Sequence, residues 1–250
     1  MIIQKSSREI MLMRAAGLIT ARALHTTGKA VEPGITTLEL DTICRKAIEK
    51  EGAVPTFLGY NGFPGSACIS VNDQVIHGIP SSKVRLKAGD IVSIDVGASI
   101  GGFTGDSAYT FACGDISKEA RALLDATEQS LYEGIEMARI GKRLGDIGSA
   151  IQRYVEMRGY SVVREYTGHG VGADLHEDPS VPNYGTPGRG VRLAPGMTLA
   201  IEPMVNAGRK EIKTLPDGWT VLTKDGSLSA HFEHSVAITA DGPVILTALD

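Results

Sequence analysis

This sequence has little of what marks an exported, membrane-spanning or nucleic-acid-coating protein. It has only three cysteines, Cys44, Cys68 and Cys113, an odd and widely spaced set that builds neither a disulfide framework nor a zinc pattern. A reducing cytoplasm is the compartment this suggests. No stretch approaches ~18 uninterrupted apolar residues, so no transmembrane helix is expected. The opening MIIQKSSREIMLMRAAGLITA is interrupted by Lys5, Arg8, Glu9 and Arg14 and does not read as a signal peptide. Basic residues are not in excess either. The formal net charge is -4 and there is no basic tail, so no global field draws in nucleic acid or an anionic membrane. There is no low-complexity linker and no break in composition. At 250 residues the chain is near the upper size of a single hydrophobic core.

What is present is a sequence that repeats itself. The segment GITTLEL beginning at Gly34 aligns with GKRLGDI beginning at Gly141, so that Glu39 falls on Asp146. On the same register Glu49 falls on Glu156 and Gly52 on Gly159. Further along, KAGDIVSID ending at Asp95 falls on APGMTLAIE ending at Glu202, and Gly89 meets Gly196. Every pair is 107 residues apart. Each half predicts the same plan: a helix (8–27, then 120–137), a glycine turn, a second helix (36–51, then 143–158) ended by glycine, then strands. VSIDVGASIGGFTGDSAYTF reads as a hairpin around a Gly-rich tip, and EHSVAIT and PVILTA read as late strands. The fold class expected is α+β. One catalytic domain over 1–250 would hold two pseudo-symmetric halves, approximately 8–112 and 120–239, with antiparallel strands covered by helices. Helix–turn–helix segments resemble one another in any protein. The acidic residues matched at two strand ends argue for a true repeat.

Chemistry gathers on the strands. Asp95 closes the apolar run IVSID, Asp106 lies on the returning strand GDSAYTF, Glu202 closes TLAIE, and Glu233 opens HFEHSVAIT. A lone carboxylate buried in an apolar strand is very costly. Lys and Arg do not recur at matching positions, so a bound cation would answer all four at once. His169, in YTGHGVG, adds one imidazole. Four carboxylates and one nitrogen are too hard a set for structural zinc and suit divalent Mn, Fe or Co. Four negative charges also balance two divalent ions. Singly, each residue has a plainer explanation: a strand Asp in a turn, a solvent-facing Glu, a His held between glycines. Jointly, with Asp95 and Glu202 aligned by the repeat, they favour metal.

The order of these residues resembles the pita-bread metallopeptidases. Within them, NDQVIHGIP (72–80), DVGASIGGFTGDSAYTF (95–111), YTGHGVGADLHEDPSVPNY (166–184), IEPM (201–204) and HFEHSVAIT (231–239) resemble the type I methionine aminopeptidases in their short bacterial form. The resemblance covers essentially the whole chain. The extra N-terminal domain of the prolidases is missing, as is the helical insert of the type II enzymes.

The resemblance implies removal of the N-terminal methionine from nascent proteins with a small second residue, by attack of a metal-bridging hydroxide. It implies Asp95, Asp106, His169, Glu202 and Glu233 as ligands of two divalent ions, with Asp106 and Glu233 bridging. Cobalt, manganese and iron are the first candidates, zinc and nickel the next, with a monovalent cation near the backbone of Asn72 and Ser229. His77 and His176 would flank the substrate, His176 on the forming oxyanion, and Glu202 would exchange protons. The methionine pocket would be Phe57, Tyr60, Phe63, Cys68, His77, Leu175 and Trp219; Leu175 stands where an aromatic is common in the family. Core packing is the rival explanation for Phe57 and His77, and a surface turn for His176. The resemblance further implies a cytoplasmic monomer acting near the ribosome, with no stable nucleic-acid or membrane partner.

Overall fold

Ser6 and Thr36 start the first two helices by the same device. Each side chain accepts a bond from the third backbone N–H of its helix, and Glu9 or Glu39 at that third position accepts from the cap's own N–H. Such a cap contributes ~1 kcal/mol. The helices are α1 (Ser7–Gly28), α2 (Thr37–Lys50), α3 (Lys118–Glu136) and α4 (Leu144–Glu156). Ser117 caps α3 by accepting from Ala120 N, and Asp146 in the first turn of α4 accepts from Arg143 N. The computed structural model describes residues 1–249; Asp250, the last residue of the expected domain, lies outside them.

The 107-residue register recurs in the backbone. Gly34 and Gly141 both turn with positive φ, 100° and 90°. The N–H of Thr37 donates to Val84 O and that of Leu144 to Val191 O, each at 3.0 Å. The N–H of Leu86 donates to Ile35 O and that of Leu193 to Lys142 O, each at 2.9 Å. Each helix pair covers its own core. Ile19, Leu40, Ile48, Ile69 and Ile94 pack under α1 and α2, and Leu123, Ile135, Ile147, Leu199 and Val236 under α3 and α4. Burying one such side chain stabilises by roughly 1.5–3 kcal/mol.

The strands are antiparallel throughout. In the first half, strand Ile91–Ile100 pairs with Phe103–Ala112 in unbroken register, from Ile91↔Ala112 to Ile100↔Phe103. Gly101 and Gly102 form the tip with φ 61° and 81°, as a two-residue hairpin turn of this hand requires. The strand end expected at Asp95 is absent, because the hairpin expected over VSIDVGASIGGFTGDSAYTF forms and Asp95 sits in the middle of its ten-residue first strand. Gly97 admits the Phe57 ring against that continuing strand, since a Cβ there would fall 2.7 Å from the ring. In the second half the expectation holds. Strand Thr198–Ile201 stops, Glu202 and Pro203 intervene, and Met204–Asn206 resumes. Pro203 has no N–H to give the ladder.

The two halves meet along a seam. Asp106 N donates to Ser235 Oγ, which donates to Asp106 O; Ser107 Oγ donates to Glu233 O; Glu233 N donates to Ala108 O. Thr110 Oγ1 donates to His231 O and accepts from His231 N. Asp106 and Glu233 thus arrive side by side from opposite halves. Among the described residues, no helix is long and apolar enough to cross a membrane.

Candidate metal centre and substrate pocket

One cavity of about 390 Å³ opens at the seam. Asp95, Asp106, His169, Glu202 and Glu233 all line it. Ligand atoms of Asp106, His169 and Glu233 lie within 4.8 Å of one another. Glu202 joins them through His169 Nε2, 3.4 Å from its Oε1 and 3.6 Å from Asp106 Oδ2. His169 Nδ1 lies 2.9 Å from Gly170 O. Donation there fixes the proton on Nδ1 and leaves Nε2 a bare lone pair aimed at the carboxylates, the tautomer a metal ligand needs.

The carboxyls are held in an environment hostile to charge. Burial pushes Asp95 up to about 7, with the Glu202 charge adding and His231 opposing. Asp106 is raised well above the usual range by burial and then by the Asp95 and Glu202 charges. Burial raises Glu202 in the same way. Glu233 is raised by burial and by Asp106, Glu202 and Asp95. Asp95 Oδ1, Asp106 Oδ1 and Glu233 Oε1 are buried without any hydrogen-bond partner. Orphaned carboxylate oxygens pointing at one another are unfavourable unless a cation stands between them. The donor set fits divalent ions: all oxygen save one imidazole nitrogen.

The expected substrate residues surround the same cavity. Phe57, Phe63, Cys68 and Leu175 form one buried apolar cluster, with Tyr60 and Trp219 packed on it. The Phe63 and Trp219 rings meet edge-on at 5.2 Å. Cys68 faces Asp95 across the sheet, so the pocket wall and the acidic floor share one strand pair. His77 has φ 58°, rare for a side-chain-bearing residue, and stands edge-on to Tyr166 and Trp219. Gly78 makes that approach possible, since a Cβ there would lie 2.2 Å from Ile69 O. Burial pulls His77 down to about 4, with His231 and His176 adding. His176 is exposed, as a surface turn would be, yet its ring centroid lies 4.2 Å from that of His169, the rings tilted by 49°, and its Nδ1 lies 2.8 Å from Tyr60 Oη. Partial burial lowers its pKa as well.

Sequence reasoning missed several neighbours. Asn61, Ile76, Tyr166 and Thr167 also line the cavity. Tyr166 and Thr167 flank GHG directly and could have been read with it. His231 is buried with Nε2 unpartnered, 3.6 Å from Glu202 Oε2. It pairs with Met204, just past the Glu202–Pro203 interruption, a pairing no linear pattern discloses.

Comparison with known proteins agrees with this geometry. The metallopeptidase family M24 model matches residues 11–240. Methionine aminopeptidase 1 of Bacillus subtilis is 57% identical over 247 residues, covering 99% of both chains. The crystal structure of methionine aminopeptidase from Thermotoga maritima superimposes with a TM-score of 0.98 at 46% identity, over the whole of both chains. The prolidase from Pyrococcus furiosus, at 22% identity and a TM-score of 0.76, shares the fold over 99% of this chain and 66% of its own. The chain belongs to metallopeptidase family M24 and, within its pita-bread fold, to the methionine aminopeptidases.

Proposed function

We propose that this aminopeptidase, which releases the N-terminal methionine of polypeptides, works as a two-metal hydrolase on nascent chains whose second residue is small. The observation that carries this reading is one cavity lined by four carboxylates and an imidazole, in which three buried carboxylate oxygens have no hydrogen-bond partner. Asp95, Asp106, His169, Glu202 and Glu233 are the proposed ligands, with Asp106 and Glu233, the two seam residues, shared between ions. Manganese, iron or cobalt would fit, and zinc or nickel less well. Bound there, divalent ions would polarise the scissile carbonyl and acidify the attacking water.

The chain's own groups do the rest. The cluster of Phe57, Tyr60, Phe63, Cys68, Leu175 and Trp219 takes the thioether side chain, since apolar and soft groups suit it. Partial burial of the ring lowers the His176 pKa and so favours the neutral imidazole. If the Tyr60 hydroxyl donates to Nδ1, the imidazole proton sits on Nε2, free to donate to the carbonyl oxygen as charge develops on it. His77, also neutral, lies beside the scissile bond between Tyr166 and Trp219 and assists proton transfer there. Glu202 has both His169 and His231 imidazoles beside its two oxygens. It is the carboxylate placed to take a proton from water and pass it to the leaving nitrogen. A narrow site floored by these groups leaves room for Ala, Ser or Gly at the second position. We read the whole chain as one catalytic domain built from a repeat over 8–112 and 120–239. We further place it as a monomer in the cytoplasm, near the ribosome, with a monovalent cation by Asn72 and Ser229.

The test is a substrate panel with and without chelator. Met-Ala-Ser should be cleaved, Leu-Ala-Ser poorly, and Ala-Pro not at all. Chelation should abolish activity, and added Mn, Fe or Co should restore it. Cleavage before proline without preference for methionine would instead indicate an X-Pro exopeptidase.

A further inference from the structure

One buried ion pair belongs to no part of the scheme above. Lys5 precedes α1, and its ammonium meets the carboxylate of Glu177; the two side chains are only 4% and 6% exposed. Glu177 immediately follows His176. Its other oxygen accepts from Asp174 N at 3.4 Å, across the turn that carries Leu175 and His176. Lys5 is itself fixed, with its N–H donating to Gly196 O at 2.7 Å and its ammonium also reaching Ile3 O at 3.3 Å. The loop closes tightly on the pair. A Cβ on Gly172 would fall 2.2 Å from Glu177 Oε1 and 2.6 Å from Lys5 Cε.

A buried ion pair is a poor stabiliser, because desolvation offsets its attraction; apolar residues of similar size often serve stability as well. Direction is what it supplies. The pair fixes Glu177, and Tyr60 holds the ring of the adjacent His176. Lys5 also cancels the negative charge one residue away from a group meant to stabilise an oxyanion. We propose that Lys5 and Glu177 are positioning residues, acting through the loop to hold His176 over the reacting carbonyl and Leu175 in the pocket wall. The inference rests on the oxyanion role given to His176.

The experiment compares Lys5→Met/Glu177→Met with the parent on Met-Ala-Ser, in manganese, with metal content and thermal midpoint measured alongside. A misplaced catalytic group costs up to about a hundredfold, so kcat should fall between about tenfold and a hundredfold. Metal content should be unchanged, and the midpoint close to that of the parent because no charge is left stranded. In a His176→Ala background the same double substitution should lower kcat no further. Lys5→Arg, which keeps the charge but changes the reach, should give an intermediate kcat and covers the case of poor folding in the double variant. Unchanged kcat in these variants, or the same fold-loss repeated in the His176→Ala background, would overturn the inference. His176→Ala at full kcat would overturn the parent reading first, and that outcome is seen before Lys5 is altered.

Discussion

The two halves use one ladder position in two ways. Asp95 sits in the middle of an unbroken ten-residue strand, while Glu202, 107 residues later, sits at a break made by Pro203. The first half thereby runs one continuous strand under the pocket. It supplies Phe57, Tyr60, Phe63, Cys68 and His77. The second half is interrupted where Glu202 stands, and it supplies His169 and the His176 loop. The lesson is that a repeat can fix two carboxylates in matching places while local backbone chemistry gives each a different freedom. An Asp on a continuous strand suits a fixed ligand. A longer Glu at a strand break suits a ligand that also moves protons.

The largest expected effect lies on the seam that both halves share. Asp106→Asn should bring activity to background at any added metal concentration, because a neutral amide cannot bridge two cations. Turnover of Met-Ala-Ser and metal content by mass spectrometry check this; substantial turnover would remove Asp106 from the centre. Next come the two second-half histidines. His176→Ala should lower kcat by ~10²–10³ with metal content intact. His169→Ala should lose metal first. The reverse pattern would exchange their roles.

Acid–base linkage separates the metal-free protein from the loaded one. The folded Asp95 value, about 7, stands above the ordinary 3.8. The folded state therefore keeps a proton that the unfolded chain releases. Stability is full below pH 3.8 as far as Asp95 is concerned, and it falls as pH rises from there to about 7. The raised Asp106, Glu202 and Glu233 push the same loss to higher pH. Buried histidines such as His77, lowered to about 4, act in the opposite sense over part of this window, so the test is a difference. In chelated protein the midpoint of Asp95→Asn minus that of the parent should rise with pH across the window, and saturating manganese should remove that rise; a difference that falls with pH would contradict the buried, cation-seeking cluster.

How much of this was legible in the sequence depends on the kind of signal. The helices were, because both halves repeat one plan and Gly52 and Gly159 follow the second helix of each half. The gathering of Asp95, Asp106, Glu202 and Glu233 on one cavity was, because each sits in or beside an apolar strand run, and His169 joined them through the GHG segment. The extent of the Asp95 strand was legible from the hairpin VSIDVGASIGGFTGDSAYTF, though not from the apolar run that ends at Asp95. His231 and the Lys5–Glu177 pair were not, because their meaning comes from pairings between distant segments.

Smaller effects sharpen the comparison. Leu175→Phe should narrow the pocket and shift the methionine to norleucine kcat/KM ratio by a factor corresponding to ~1–3 kcal/mol, the worth of about one methylene. An unchanged ratio would place Leu175 off the side chain. The smallest effect tests the repeat itself. Gly34 and Gly141 both have positive φ and open space where a Cβ would stand. Alanine at either should cost only backbone strain, ~1–2 kcal/mol, and nearly the same at both. Denaturant unfolding of the two variants would show it; unequal losses would mean the turns are not equivalent.

The most direct measurement is anomalous diffraction from crystals grown with manganese. The account predicts two peaks, roughly 3.5–4 Å apart, both inside the cage of Asp95, Asp106, His169, Glu202 and Glu233. A single peak at saturating metal, or peaks outside that cage, would contradict it.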